Sequence, residues 1–186
     1  MEIILMRHGR PAITNSGSLL ARDMPDWITR YDLAGTGNDL PPEASRELAT
    51  RAGIVISSDL PRALSSLKAL GCEPVHTDAL YREAELPVYG VGRLRLSPQA
   101  WSGIFRVLWL CGLSGNAETL RTAKQRAAKA AENLATLAGD AESPVLLMGH
   151  GIMNRLIAHI LMRQGWCEIR KPEKRYWGTG VYRLTE

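Results

Sequence analysis

The sequence predicts an α/β fold, with a mostly parallel central sheet and helices on both faces. Three observations predict it. Apolar runs of strand length recur at residues 2–6, 54–57 and 145–148. Segments with three- and four-residue apolar spacing alternate with them, and strands that alternate with helices build parallel sheets buried on both faces. Glycine or serine follows each run within three residues, marking the carboxyl ends of strands, where open α/β sheets bind ligands.

Taken in order, residues 2–6 form the first strand. Residues 10–40 hold turn residues (Asn15, Gly17, Gly35, Gly37, Asn38) around an aromatic stretch at Trp27 and Tyr31, so an irregular surface excursion is expected. Pro41 and Pro42 open a helix in which Glu43, Glu47 and Leu48 follow. Residues 54–57, rich in β-branched side chains, are the second strand. Asp59 is expected to cap a helix with Pro61 in its first turn; the helix runs to about Leu70 and ends at Gly71. Residues 74–77 are the third strand. Leu120, Ala123, Ala127, Ala130, Leu134 and Leu137 mark a long amphipathic helix. It is expected to be opened by Asn116 and Glu118 and stopped by Gly139. Residues 145–148 form the fourth strand and 152–163 the next helix. Residues 180–184 alternate as a final edge strand would.

At 186 residues the chain is expected to form one domain, 1–186, burying roughly two-thirds of its unfolded surface. No apolar run approaches the roughly 20 residues of a membrane span, and the first residues lack a basic, then apolar, leader. Cys72, Cys111 and Cys167 are scattered, with no Cys-x-x-Cys pair. Neither a disulfide framework nor a thiolate metal site is expected, and a cytoplasmic location follows. Lys and Arg exceed Asp and Glu by 23 to 19, but without the basic clusters and interleaved aromatics of a nucleic-acid binder. No nucleic-acid or membrane partner is expected.

The chemistry concentrates at strand ends. Arg7-His8-Gly9 follows the first strand and Gly149-His150-Gly151 the fourth; Arg62 lies five residues beyond the second, and Glu83 follows the third. Histidine can be nucleophile, base or donor near neutral pH, and arginine grips phosphate bidentately. A phosphate or sulfate is the ligand these residues fit. His76 and His159 keep structural readings; His159 is nine residues after His150, half a turn out of phase on a helix. No His-Glu-x-x-His, Cys-x5-Arg or Gly-x4-Gly-Lys-Ser/Thr pattern occurs, so no metal ligand set or nucleotide loop is expected.

Arg7-His8-Gly9, Ser58-x-x-x-Arg62-Ala63, Arg82-Glu83 and Gly149-His150-Gly151 together resemble the motifs of the histidine phosphatase superfamily, in its phosphoglycerate-mutase-like branch. The resemblance spans the chain in the expected order. It implies a phosphoglycerate-mutase-like fold with a small helical cap, no cofactor, and a phosphohistidine intermediate on His8. Arg7, Arg62 and His150 would bind the phosphoryl oxygens, and Arg10 would reach the phosphate or the substrate's tail. Ser58 would support His8 by hydrogen bonding, and Glu83 would act as general acid and then base. The residue chemistry agrees: an attacking imidazole must be neutral, and neighbouring arginines favour that form. Its other ring nitrogen must be held by an acceptor, such as a backbone carbonyl. A dianionic phosphate beside Glu83 favours its protonated form. On an extended segment Glu83 and Glu85 would share a face; the family pattern favours Glu83.

Residues 86–115 carry Trp101, Ile104, Phe105, Leu108 and Trp109 at helical spacing, with Arg93, Arg95 and Arg106 around them. They read as a core helix or as a cap that selects the organic part of a substrate. Cofactor-dependent mutases of the family usually carry asparagine six residues past the histidine, where this chain has Thr14; Arg10-Pro11 also departs from their pattern. The chain is short for a bisphosphate-holding mutase. The expectation is a metal-independent phosphatase acting on a small phosphorylated metabolite or a phosphoprotein, including protein phosphohistidine. A phosphoglycerate-type mutase and a non-catalytic phosphate-binding module are the alternatives.

Overall fold

The computed structural model describes residues 1–13, 17–90 and 92–185; Thr14 and Asn15, which carry two of the expectations above, lie outside the described residues. In chain order the elements are β1 (Glu2–Arg7), β2 (Leu19–Leu20), α1 (Met24–Leu33), α2 (Glu43–Thr50), β3 (Ile54–Ser57), α3 (Pro61–Leu70), β4 (His76–Thr77), β5 (Arg95–Leu96), α4 (Pro98–Leu110), α5 (Leu120–Asp140), β6 (Val145–Gly149), α6 (Gly151–Arg163), β7 (Cys167–Arg170) and β8 (Thr179–Arg183).

Six strands form the central sheet in the order β4-β3-β6-β1-β8-β7. The first four run parallel, while β8 is antiparallel to β1 and β7 antiparallel to β8. The mixed, mostly parallel α/β architecture is the one the sequence predicts. Successive side chains of a strand point to opposite faces, and the core divides accordingly. Ile3, Leu5, Ile56, Val145 and Leu147 pack against α5 and α6 through Ala127, Ala130, Leu134, Met153 and Ile157. Ile4, Met6, Val55, Leu146 and Met148 meet Leu48, Ala63 and Leu67 of α2 and α3, with Trp177, on the other face. Each large aliphatic side chain so buried contributes roughly 1.5–3 kcal/mol.

Residues 10–40 are not an irregular excursion. Met24 and Trp27, one turn apart, bury one side of α1, and Pro25 sits in its first turn, where proline is favoured. The glycines flank this helix instead of interrupting it. Met24 and Trp27 join Leu19, Trp101 and Phe105 in a cluster separate from the two sheet faces, and β2 pairs with β5. The α4 residues of segment 86–115 thus pack chiefly on α1, while Trp109 lies with Ala84 and Ala123.

Several boundaries also differ from expectation. Leu60, with no side-chain bond, occupies the cap position of α3; Asp59 instead pairs with Arg82 at 2.6 Å. Thr119 caps α5, its Oγ1 accepting from Thr122 N at 3.1 Å, so Asn116 and Glu118 precede the helix. Gly139 lies inside α5, which ends at Asp140; its helical cost of about 1 kcal/mol is tolerated where Ala138 is buried beside it. The third strand shortens to the two exposed residues of β4. Strand β8 is interior, buried from Thr179 to Tyr182. The edge beyond it is β7, whose residues Cys167–Arg170 are largely exposed and bury no continuous face.

Candidate active site

Strands β1 and β6 are parallel neighbours with Arg7 opposite Gly149, so their carboxyl ends deliver His8 and His150 side by side. The ring centroids are 5.0 Å apart. His8 N donates to Gly149 O at 3.1 Å. Asn154, one turn into α6, accepts from His150 N at 3.3 Å and donates to Met6 O at 3.1 Å, tying the two strand ends together. A Cβ on Gly149 would strike that amide, and one on Gly9 would strike the Trp177 ring; both histidine loops need glycine for this close approach.

His8 is 2 % exposed, and its Nδ1 lies 2.7 Å from Gly9 O. A carbonyl only accepts, so Nδ1 carries the proton and Nε2 presents its lone pair. The pKa falls to about 3, first through burial, then through Arg62 and, more weakly, Arg7, against an opposing pull from the Gly9 carbonyl. Burial thus adds a larger push to the arginine charges expected to favour the neutral form. His150 is fully buried and lowered well below the usual histidine value by burial, then by His8, Arg62, Arg7 and Arg126.

Arg62 donates from Nη1 to Asp32 of α1 at 2.7 Å, with the arginine side chain 3 % and the aspartate 44 % exposed. Its guanidinium lies 4.8 Å over the Tyr31 ring, and that of Arg7 lies 4.5 Å over Tyr176. Among the described residues, four buried nitrogens have no hydrogen-bond partner: Arg7 Nε, Arg62 Nε and both ring nitrogens of His150. An unsatisfied buried polar group costs about 1–3 kcal/mol, so four of them around one histidine mark a site built for a ligand rich in acceptors.

The Glu83 carboxylate accepts from Ile152 N at 3.1 Å, Met153 N at 3.0 Å and Ala84 N at 3.0 Å, seated on the N-terminus of α6. A Cβ on Gly151 would lie 3.5 Å from Arg7 Nε and 3.7 Å from Glu83 Oε2, ordinary contact distances, so acid and arginine both border this position. Glu85 does not share this face. Its carboxylate accepts from Glu118 N at 2.7 Å.

Ser58 Oγ accepts from Leu60 N at 3.3 Å and so serves the strand–helix turn. Ser66 makes the bond to the histidine loop, accepting from Gly9 N at 2.8 Å while donating to Arg62 O at 2.6 Å. Arg10 is exposed; its backbone N–H donates to the Asp39 carboxylate and its guanidinium lies 5.8 Å from the Tyr176 ring. His76 and His159 are exposed and away from the site. Sequence reasoning missed Tyr31, Asp32, Ser66, Asn154 and Tyr176. Ser66 and Asn154 carried a usable signal, each lying four residues past a site residue on a helix and hence on its face. The others arrive from distant segments and had none.

A cleft of about 1610 Å³ reaches Arg7, Arg62, Glu83 and Tyr176 at one end and extends past Trp27, Leu86 and Arg106. That exceeds the roughly 300–1,000 Å³ of ordinary small-molecule sites. Among the described residues no group of three or more His, Cys, Asp or Glu side chains is placed to hold a metal ion, and no helix is long and apolar enough to cross a membrane.

The family model described as histidine phosphatase superfamily (branch 1) matches residues 3–184. No curated protein matches the chain by sequence. Among solved structures, the product of open reading frame Rv3214 from Mycobacterium tuberculosis superposes with a TM-score of 0.59 at 17 % identity, over 100 % of this chain and 95 % of that one. Mycobacterial glucosyl-3-phosphoglycerate phosphatase Rv2419c, complexed with VO3, gives 0.57 at 20 % identity over 87 % and 82 %. Phosphoserine phosphatase from Entamoeba histolytica, complexed with 3-phosphoglyceric acid, gives 0.59 at 14 % identity over 97 % and 89 %. At these identities the likeness is one of fold.

Proposed function

The chain belongs to the histidine phosphatase superfamily, and from that premise we propose that it hydrolyses a phosphomonoester through a phosphohistidine on His8, without metal or cofactor. The observation that carries this reading is the neutral, Nδ1-anchored His8 beside four buried nitrogens that no described residue satisfies.

In the first step His8 Nε2 attacks phosphorus, the ester P–O bond breaks, and the Glu83 carboxyl group gives its proton to the departing alkoxide. Arg7, Arg62 and the N–H of neutral His150 donate to the three phosphoryl oxygens, where charge is spread in the transition state. In the second step Glu83 takes a proton from water as its oxygen bonds to phosphorus. The P–N bond breaks, returning its electron pair to Nε2 and releasing phosphate. Tyr176, whose ring lies 5.7 Å from that of His8, lines the cleft beside the attacking imidazole.

The substrate class is a small phosphorylated metabolite, supported by fold relatives that act on or bind phosphoserine and phosphoglycerate derivatives. Arg10 would meet the substrate's tail, and Ser58 would support the site through the strand–helix turn beside Arg62. Residues 86–115, with α1, form the cap of the single 1–186 domain.

The test is phosphate release from p-nitrophenyl phosphate and a metabolite panel in EDTA, with the phosphoenzyme trapped by alkaline quench. His8→Ala should abolish both turnover and trapping. Glu83→Gln should lower kcat by ~10²–10⁴, equivalent to roughly 3–5 kcal/mol of barrier. Turnover that survives His8→Ala would refute the mechanism. Isomerisation of a phosphorylated acid without phosphate release would make the protein a mutase.

A further inference from the structure

We infer that Arg126 of α5, braced by Glu118, is a positioning residue that holds the general acid Glu83 in place from behind; this rests on the reading of Glu83 as the acid. Residues 83–90 form no regular element, so their carbonyl groups have no ladder to join and must find partners elsewhere. Arginines supply them. Arg126 Nη1 donates to Leu80 O at 2.9 Å and Arg82 O at 2.8 Å, and Nη2 to Glu83 O at 3.4 Å. Arg106, from α4, continues the series to Ala84 O at 2.8 Å and Glu85 O at 3.1 Å. Five carbonyl groups between residues 80 and 85 thus face guanidinium groups from two different helices.

Glu118 fixes the larger clamp. Its carboxylate accepts from Nε of Arg126 at 3.2 Å and from Nη2, and from Glu85 N at 3.1 Å. Its own carbonyl accepts from Trp109 Nε1 at 2.7 Å. Both members of the ion pair are largely buried, 20 % and 12 % exposed. A planar fork that spends its donors on three carbonyl groups and a carboxylate at once cannot be matched by the point charge of lysine. The peptide of Glu83 is therefore gripped on its carbonyl side by Arg126, while its side chain is received on the opposite side by the N–H groups of α6. Proton donation depends on sub-ångström placement, and a shift of about 1 Å arising away from the chemistry can cost ~10²-fold. Arg126 and Glu118 border the cleft, but the bonds of Arg126 go to Glu118 and to the carbonyl groups of Leu80, Arg82 and Glu83, not to Arg7, Arg62 or either histidine, so the effect should follow the demand for a proton.

That demand can be varied without changing substrate shape. Phenyl phosphate has a poor leaving group that needs protonation, whereas p-nitrophenyl phosphate has a good one that scarcely does. Arg126→Ala and Glu118→Gln should lower kcat for phenyl phosphate by roughly 10- to 100-fold, leave KM nearly unchanged, and affect p-nitrophenyl phosphate far less. Arg126→Lys should not rescue the phenyl ester. In a Glu83→Gln background, Arg126→Ala should add almost nothing. Equal losses on both esters, or losses that simply multiply with Glu83→Gln, would overturn the positioning role. Glu118→Gln keeps the side chain's shape but replaces an acceptor oxygen facing Arg126 with an N–H donor, so it provides the same readout if Arg126→Ala does not fold. A wild-type protein that hydrolyses neither ester would sink the phosphatase reading itself; wild-type turnover with losses independent of leaving group would sink this inference alone.

Discussion

Two neutral imidazoles packed beside two guanidinium groups make the protein sensitive to acid, and the direction follows from proton counting. His8 has a folded pKa of about 3 against an ordinary 6.5, so between those values the unfolded chain binds a proton that the native state refuses. Stability therefore rises with pH across the window and is lost as pH falls from about 6.5 towards 3. His150 is shifted in the same direction. Each histidine contributes a slope of at most about 1.4 kcal/mol per pH unit. The urea midpoint should drop steeply from pH 7 to pH 4, and less steeply in His8→Asn. An unchanged slope in that variant would mean that His8 is charged in the native state.

The connection between β7 and β8 is an element fitted by backbone. Trp177 has φ 63°, a region that large L side chains rarely occupy, and its indole N–H donates to Asp39 at 2.8 Å. A Cβ on Gly178 would run into the carbonyl groups of Glu173 and Arg175, neither of which can rotate away as a side chain would. Gly178→Ala should cost about 1–3 kcal/mol of stability, the usual range for overpacking, and should raise KM by displacing Tyr176. Gly103 of α4 provides the contrast. Its Cβ position is open and it lies within a helix, so Gly103→Ala should stabilise by up to about 1 kcal/mol. Thermal unfolding of the two variants should move in opposite directions.

For the molecule as a whole, a pocket of unsatisfied donors couples ligand binding to folding. An anion that binds only the native state stabilises it by about 2.7 kcal/mol at a hundred times its Kd. Phosphate or vanadate should therefore raise the melting temperature in proportion to the logarithm of its concentration. Arg62→Ala should remove most of that rise, since it deletes a buried donor and releases Asp32 at the cleft mouth. A melting temperature indifferent to both anions would contradict the phosphate site.

Local pattern sufficed for β1, β3, β6, α3, α5 and α6, because a strand buried on both faces reads as a continuous apolar run and a helix packed on one side reads as a stripe. Arg7, His8, Arg62, Glu83 and His150 were legible for a related reason: a parallel sheet delivers its strand ends to one edge, so motifs just past those ends meet. Only tertiary structure decided the rest. The exposed side chains of β7 make it a strand solely because β8 offers an edge to pair with, and α1 is held by Trp101 and Phe105 from a distant segment. The parting of Glu83 from Glu85, and the partners Asp32, Tyr176 and Arg126, depend on approach between segments remote in sequence. Periodicity reports which side of an element is buried, not what it will be buried against.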